Sequence, residues 1–183
     1  ATHARWFRLM VTLTLSALER EKATAPHPVL MVLEEFPQLG RLRQIEAAAG
    51  LMAGYGVKLW TVLQDLSQLK SLYRDGWETF IGNAGLVQAF GNSDATTLEY
   101  LSKRLGTISI AETTQVNATS AMFAAGDNGT RSQMRAVPLL APFEIEQHFA
   151  RETGLQMVLI PGRPPAAVER VFFNDPIFHR ATA

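Results

Sequence analysis

The sequence predicts an α/β fold, a mostly parallel sheet with helices on both faces, and three observations carry the prediction. Short apolar runs recur at residues 28–33, 57–63 and 86–90. Helical patterns of roughly 10 to 15 residues separate them, and strands that alternate with helices in this way return through right-handed crossovers to one parallel sheet. The run "VLMVL" between Pro28 and Pro37 is too short for a core helix and is apolar throughout, which suits a strand covered on both faces.

The elements follow in order. In residues 4–21, "VTLTLS" alternates like a strand, whereas Phe7, Met10, Val11, Leu18 and the flanking charges fit a helix; length decides for the helix. After the strand at 28–33, "RLRQIEAAAGLMA" places Leu42, Ile45, Ala49 and Met52 on one helical face, with Gly54 as terminator. A second buried strand is expected at 57–63, with Trp60, like Trp77, assigned to the core. "QDLSQLKSLY" and "WETFIGNAG" read as short helices and "LVQAF" as a third strand. "GNSD" supplies capping side chains for a helix whose apolar face is Leu98, Leu101 and Leu105 and which Gly106 ends. "TISIAETTQV" reads as a fourth strand. Residues 117–137 lack periodicity and are rich in small and polar residues, so a flexible loop is expected there. A helix near 142–150, a strand "LQMVLIPG", a turn at "GRPP" and a last strand "AVERVFF" complete the reading.

At 183 residues and 47% apolar, the chain suffices for one domain with a proper core. Its 17 basic and 17 acidic residues cancel, so any contact with nucleic acid is local rather than driven by a global field. The absence of cysteine excludes disulfides and thiolate metal sites. His3, His27, His148 and His179 have no metal-ligand spacing, and Asn117 and Asn128 read as loop residues. The first residues lack an initiator Met and read as a fragment boundary. The uncharged stretch between Arg8 and Glu19 is about half of what a membrane span requires.

Three strand ends carry the candidate chemistry. The first ends in Glu34 and Glu35, the second in Gln64 and Asp65, the third in Gly91, Asn92, Ser93 and Asp94. In open parallel sheets, ligands sit at the carboxyl ends of the strands. Adjacent side chains on an extended chain point to opposite faces, so an acid pair can serve two tasks. Nucleotide hydrolases use such a pair as a Walker B element: the first acid holds Mg²⁺, directly or through a water, and the second polarises the attacking water. An amide at Gln64 would then sense the γ-phosphate. The plain alternative is two solvated carboxylates closing a strand. No GxxxxGK[ST] stretch and no Gly-Lys pair occurs, so the chain by itself is not expected to bind ATP tightly.

The blocks "EEFPQLG", "AGYGVKLW", "LQDLSQLKSLY", "NAG", "AFGNSDATTLEYLSK", "PLLAPFEI" and "LIPGRPP" together resemble the motor domain of type IV secretion coupling proteins, the TraG/TraD family of conjugative DNA-transfer ATPases. The resemblance covers nearly the whole chain, with 117–137 least distinctive. It implies residues 1–183 are the carboxyl-terminal part of a RecA-like P-loop NTPase motor domain, without the P-loop half. It further implies a hexamer on the cytoplasmic side of the bacterial inner membrane. Such a ring hydrolyses ATP with Mg²⁺ and moves single-stranded DNA with its relaxase, from the relaxosome, to the type IV secretion channel.

Carried over by position, Glu34 is the Mg²⁺-associated acid, Glu35 the water-activating acid and Gln64 the γ-phosphate sensor. Glu34 departs from the family's commoner Asp, and the longer side chain adds roughly 1.3 Å of reach. Coordination through a water absorbs that length better than direct ligation. The stretch "LMAGYG" has Ala53 where some relatives place an arginine finger, so no finger is assigned. For DNA, Lys70 and Arg74 beside Tyr73 offer charge with a stacking ring, against the simpler reading of a solvated helix face that also covers Lys103 and Arg104. The alternative function is a non-catalytic module that docks substrates or relaxosome proteins.

Overall fold

The computed structural model describes residues 2–20, 27–46, 56–115 and 130–179. Helix α1 (Thr2–Arg20) realises the helical reading of the amino-terminal stretch. Leu15 points into the core, with Val11 and Leu18 beside it, at the spacing that keeps one helical face inward. The Arg8 guanidinium donates to the carbonyls of Leu39 and Arg41, fixing α1 to the loop after the first strand. Gly40, at φ +68°, leaves room there: a Cβ would lie 2.9 Å from an Arg8 nitrogen.

Strands β1 (Val29–Leu33) and β2 (Val57–Thr61) pair in parallel, from Val29 opposite Val57 to Leu33 opposite Thr61. Met31, Leu33, Val57 and Leu59 face the core, whereas Leu30 and Val32 on β1 and Trp60 on β2 are about half exposed. This corrects two expectations. The strands are covered on one face only by the described elements, and Trp60 lies on the other face, because the period-two alternation of a strand sends it opposite Leu59. Residues 43–46 are helical (α2), with Leu42 and Ile45 buried; Ala49, Met52 and Gly54 lie outside the described residues.

Helix α3 (Leu66–Tyr73) starts at Asp65, whose carboxylate accepts from the Gln68 N–H at 2.8 Å. Its buried face is Leu66, Leu69 and Tyr73. A single 3₁₀ turn leads into α4 (Trp77–Gly82). Tyr73 stacks on Phe36 at 5.8 Å between centroids and meets Phe80 at 4.6 Å, so aromatic packing forms the centre of this first core. Trp77 is partly buried at its margin.

The second half is assembled differently. Strand β3 (Val87–Ala89) pairs antiparallel with β6 (Leu155–Leu159), which pairs antiparallel with β7 (Ala166–Glu169). Helix α5 (Ala95–Leu105), capped by Asp94 and ended at Gly106 (φ +81°), packs with α6 (Pro142–His148) over this sheet. Leu98, Leu101, Ile145, Phe149, Met157 and Leu159 form the second core. Parallel pairing is thus confined, among the described strands, to β1 and β2; the expectation of a mostly parallel sheet is corrected, since β6 comes back against β3 after the chain has reversed through α5 and α6.

A further correction concerns residues 117–137. The chain from Thr130 is strand β5 (Thr130–Pro138), paired with β4 (Thr107–Gln115) in a long antiparallel hairpin, not a loop. Residues 116–129, with Asn117 and Asn128, lie outside the described residues. A last short helix, α7 (Pro176–His179), follows β7. No described helix is long and apolar enough to cross a membrane.

Candidate functional site

The acid pair sits where β1 must turn. Leu33 and Phe36 are both buried, Phe36 completely, and only two residues join them. The Val62 N–H donates to the Leu33 carbonyl at 2.9 Å and the Phe36 N–H to the Val62 carbonyl at 3.1 Å, so both ends of the turn are tied to the neighbouring chain. Glu34 and Glu35 are therefore pushed to the surface at the carboxyl end of β1. Glu35 adopts φ +46°, ψ 37°, the left-handed region that costs a side-chain-bearing residue about 1 kcal/mol or more. A short 3₁₀ helix, Phe36–Leu39, follows at once. The Gln38 side-chain amide donates to the Glu35 carboxylate, and the Gln38 N–H donates to the Glu35 carbonyl at 2.8 Å.

Gln64 belongs to the same rim. Thr61 stands opposite Leu33 in the parallel register, and Gln64 follows three residues later as Glu34 and Glu35 follow Leu33. Its side chain is exposed, and its Oε1 accepts from Gln68 Nε2 at 3.4 Å, with no acceptor for the Gln64 amide N–H groups among the described residues. Asp65 is occupied as the cap of α3, accepting from the backbone N–H and side chain of Gln68. Between Gln38 on one side and Asp65, Ser67 and Gln68 on the other lies an open groove of about 530 Å³.

The third strand end is knitted to the second. Asn92 Nδ2 donates to the Gln64 carbonyl at 3.1 Å, Ser67 Oγ donates to Asp94 Oδ2 at 2.9 Å, and the Leu66 N–H donates to Thr97 Oγ1 at 2.9 Å. These partners were not assigned roles from the sequence. "GNSD" identified a helix start, but nothing in a linear pattern says which backbone its side chains reach.

Among the described residues no three His, Cys, Asp or Glu side chains converge as a metal cage. Mg²⁺ bound with a nucleotide takes one or two carboxylates and completes its shell with phosphates and waters. Exposed Glu34 and Glu35 fit that requirement.

The DNA-contact candidates are not gathered here. Lys70 and Arg74 are exposed on α3 and just past its end, away from the Gln64 end of the helix. Tyr73 cannot supply the stacking ring expected between them. It is 1% exposed, and its hydroxyl accepts from the Leu42 N–H at 3.2 Å. Burial raises its pKa above the ordinary tyrosine value, partly offset by that hydrogen bond. Its place at the seventh position after Leu66, with Leu69 between, marks it as part of the buried helix face. The stretch with Ala53 lies outside the described residues.

With this geometry in place, comparisons give the chain its relatives. Residues 1–182 match the family model described as "Type IV secretory system Conjugative DNA transfer". The chain is 30% identical to the VirD4 protein of Agrobacterium fabrum over 177 residues, covering 94% of the chain and 26% of that protein. It is 32% identical to a conjugal transfer protein TraG of Escherichia coli over 180 residues, covering 90% and 28%. The chain thus spans about a quarter of the length of the curated relatives it matches. Among solved structures, unbound conjugative coupling protein TrwB superposes with a TM-score of 0.67 at 17% identity, over 88% of this chain and 36% of that one. TrwB with ADP and Mg²⁺ gives 0.63 at 16%, over 94% and 40%. The fold is the RecA-like α/β fold of these proteins.

Proposed function

The chain belongs to the type IV secretory system conjugative DNA-transfer family, and from that membership we propose that it is the Walker B and sensor part of a coupling ATPase's motor. The observation that carries the proposal is the parallel register of β1 and β2, which delivers Glu34, Glu35 and Gln64 to one rim. A docking module that does no chemistry has no use for that convergence.

In this reading Glu35 accepts the proton of the attacking water as its oxygen bonds to the γ-phosphorus and the bond to the β-phosphate breaks. The left-handed turn at Glu35 and the Gln38 contact aim its carboxylate. Gln64 donates from its amide nitrogen to a γ-phosphate oxygen while its Oε1 accepts from Gln68. Glu34 would hold Mg²⁺ through a water. When bound, the ion neutralises charge that builds on the phosphates. The cradle for the other phosphates comes from another part of the motor.

The wider role follows from the family. The motor works as a hexamer at the cytoplasmic side of the inner membrane and moves single-stranded DNA with its relaxase from the relaxosome to the secretion channel. Lys70 and Arg74 contribute charge to the DNA path without Tyr73.

The test uses the full-length gene product. Glu35→Gln should lower ATP turnover by about a hundredfold or more while a labelled nucleotide still binds. Equal turnover with Gln at this position would remove Glu35 from the role.

A further inference from the structure

We propose that Asn92 is the positioning residue for Gln64, so that the end of the third strand sets where the γ-phosphate sensor stands. The inference rests on the reading of Gln64 just given, and it adds a residue which that reading does not contain.

Gln64 lies between β2 and α3, outside both ladders of regular hydrogen bonds, with its side chain exposed. Its position therefore depends on whatever holds its backbone. The hold comes from Asn92, whose amide nitrogen donates to the Gln64 carbonyl at 3.1 Å. A carbonyl oxygen only accepts, so the amide orientation is fixed by its partner. Two neighbouring ties, Ser67 to Asp94 and Leu66 to Thr97, act on the first turn of α3. Gln68 Nε2 touches the Gln64 side chain at 3.4 Å, and the Asn92 contact is the one that holds the Gln64 backbone.

Asn92 is in turn held from behind. The Gly91 N–H donates to the Phe149 carbonyl at 2.7 Å, joining this turn to the end of α6. Gly91 has φ +62°, and a Cβ there would come within 2.7 Å of the Arg151 side chain. On the other side, Asp94 Oδ2 accepts from the Thr97 N–H at 2.9 Å and locks the start of α5. The turn that carries Asn92 is thus anchored to the second core while its amide reaches the sensor of the first. Catalytic geometry is sensitive to displacements of about 1 Å, so a sensor on a loop needs such an anchor.

Asn92→Asp keeps the shape of the side chain and sets an acceptor against the Gln64 carbonyl. In the full-length gene product it should lower kcat for ATP about tenfold, with KM within about twofold. Placed on Gln64→Ala, it should lower kcat no further, because its effect passes through the amide already removed. The inference is overturned if Asn92→Asp leaves kcat within about twofold of the parent, or if its loss adds in full on Gln64→Ala. Should Asn92→Asp fail to fold, Asn92→Ser takes its place; if both unfold, Asn92 is structural support and the inference is wrong. A different result, Gln64→Ala with unchanged kcat, would remove the sensor assignment itself.

Discussion

The core beneath β1 and β2 and the core between β3, β6, α5 and α6 bury similar aliphatic and aromatic side chains, yet Glu34, Glu35 and Gln64 share a rim above the first. Strand direction accounts for the contrast. β1 and β2 run the same way, so both chains leave the sheet at one end and their following residues meet there. β3 and β6 run oppositely, and the residue that ends β3, Ala89, stands opposite Met157 in the middle of β6. The second half thus presents one loop where the first presents two, and it serves as the platform from which Asn92 reaches across.

The largest expected effect separates the two cores. Phe36→Ala should cost about 3–5 kcal/mol in a urea titration, and Met157→Ala in the second core about 2–5. Because Phe36 adjoins Glu35, the first substitution should also abolish turnover in whatever fraction of full-length protein still folds. Met157→Ala should lower turnover per folded molecule by no more than about tenfold, the loss expected when the Asn92 tie is broken. Equal loss of turnover in both variants would show that the two cores share the site rather than divide the labour.

Tyr73→Phe comes next, at about 1–3 kcal/mol, since it leaves the buried Leu42 N–H without its acceptor. The same region has an alkaline signature. Burial raises the pKa of Tyr73 and of Tyr100 above the ordinary 10.0, so above that pH the folded chain holds protons that the unfolded chain loses. Their contribution to stability is complete below pH 10.0 and is lost as the pH rises through the folded values. Denaturant midpoints measured on either side of that pH should fall on the alkaline side, and less so in Tyr73→Phe. The smallest effect is a gain: Glu35→Gly relieves the left-handed turn and should add up to about 1 kcal/mol while removing turnover. A loss of stability instead would mean that the Gln38 contact outweighs the backbone cost.

What the residue pattern predicts well is local. The start of α5 at Asp94 and its end at Gly106 follow from a side chain that caps and a residue that tolerates positive φ, whereas Asp65, read with the strand-end chemistry, is the cap of α3. The acid pair and Gln64 sit at strand ends as their spacing requires. Pairing direction is not local, and an apolar run such as "LVQAF" carries no mark of whether its neighbour runs with it or against it. Strand β5 escapes notice for a different reason. Ser132, Gln133, Met134, Arg135 and Ala136 are all exposed, so neither face needs to be apolar and the alternation that announces a strand is missing. Trp60 misleads because a large ring within an apolar run is taken as buried, although its even position on β2 puts it outward. Tyr73 could have been placed in the core from its spacing to Leu66 and Leu69. A neighbouring lysine and arginine made it read as a stacking ring instead.

Tyr100 packs against both apolar clusters and meets Trp77 edge-on at 5.8 Å. A ring shared in this way makes it costly for one half to open while the other stays closed. Amide hydrogens buried under α3 and under α5 should therefore exchange with a common opening free energy, and a small residue at position 100 should split them into two separately melting units.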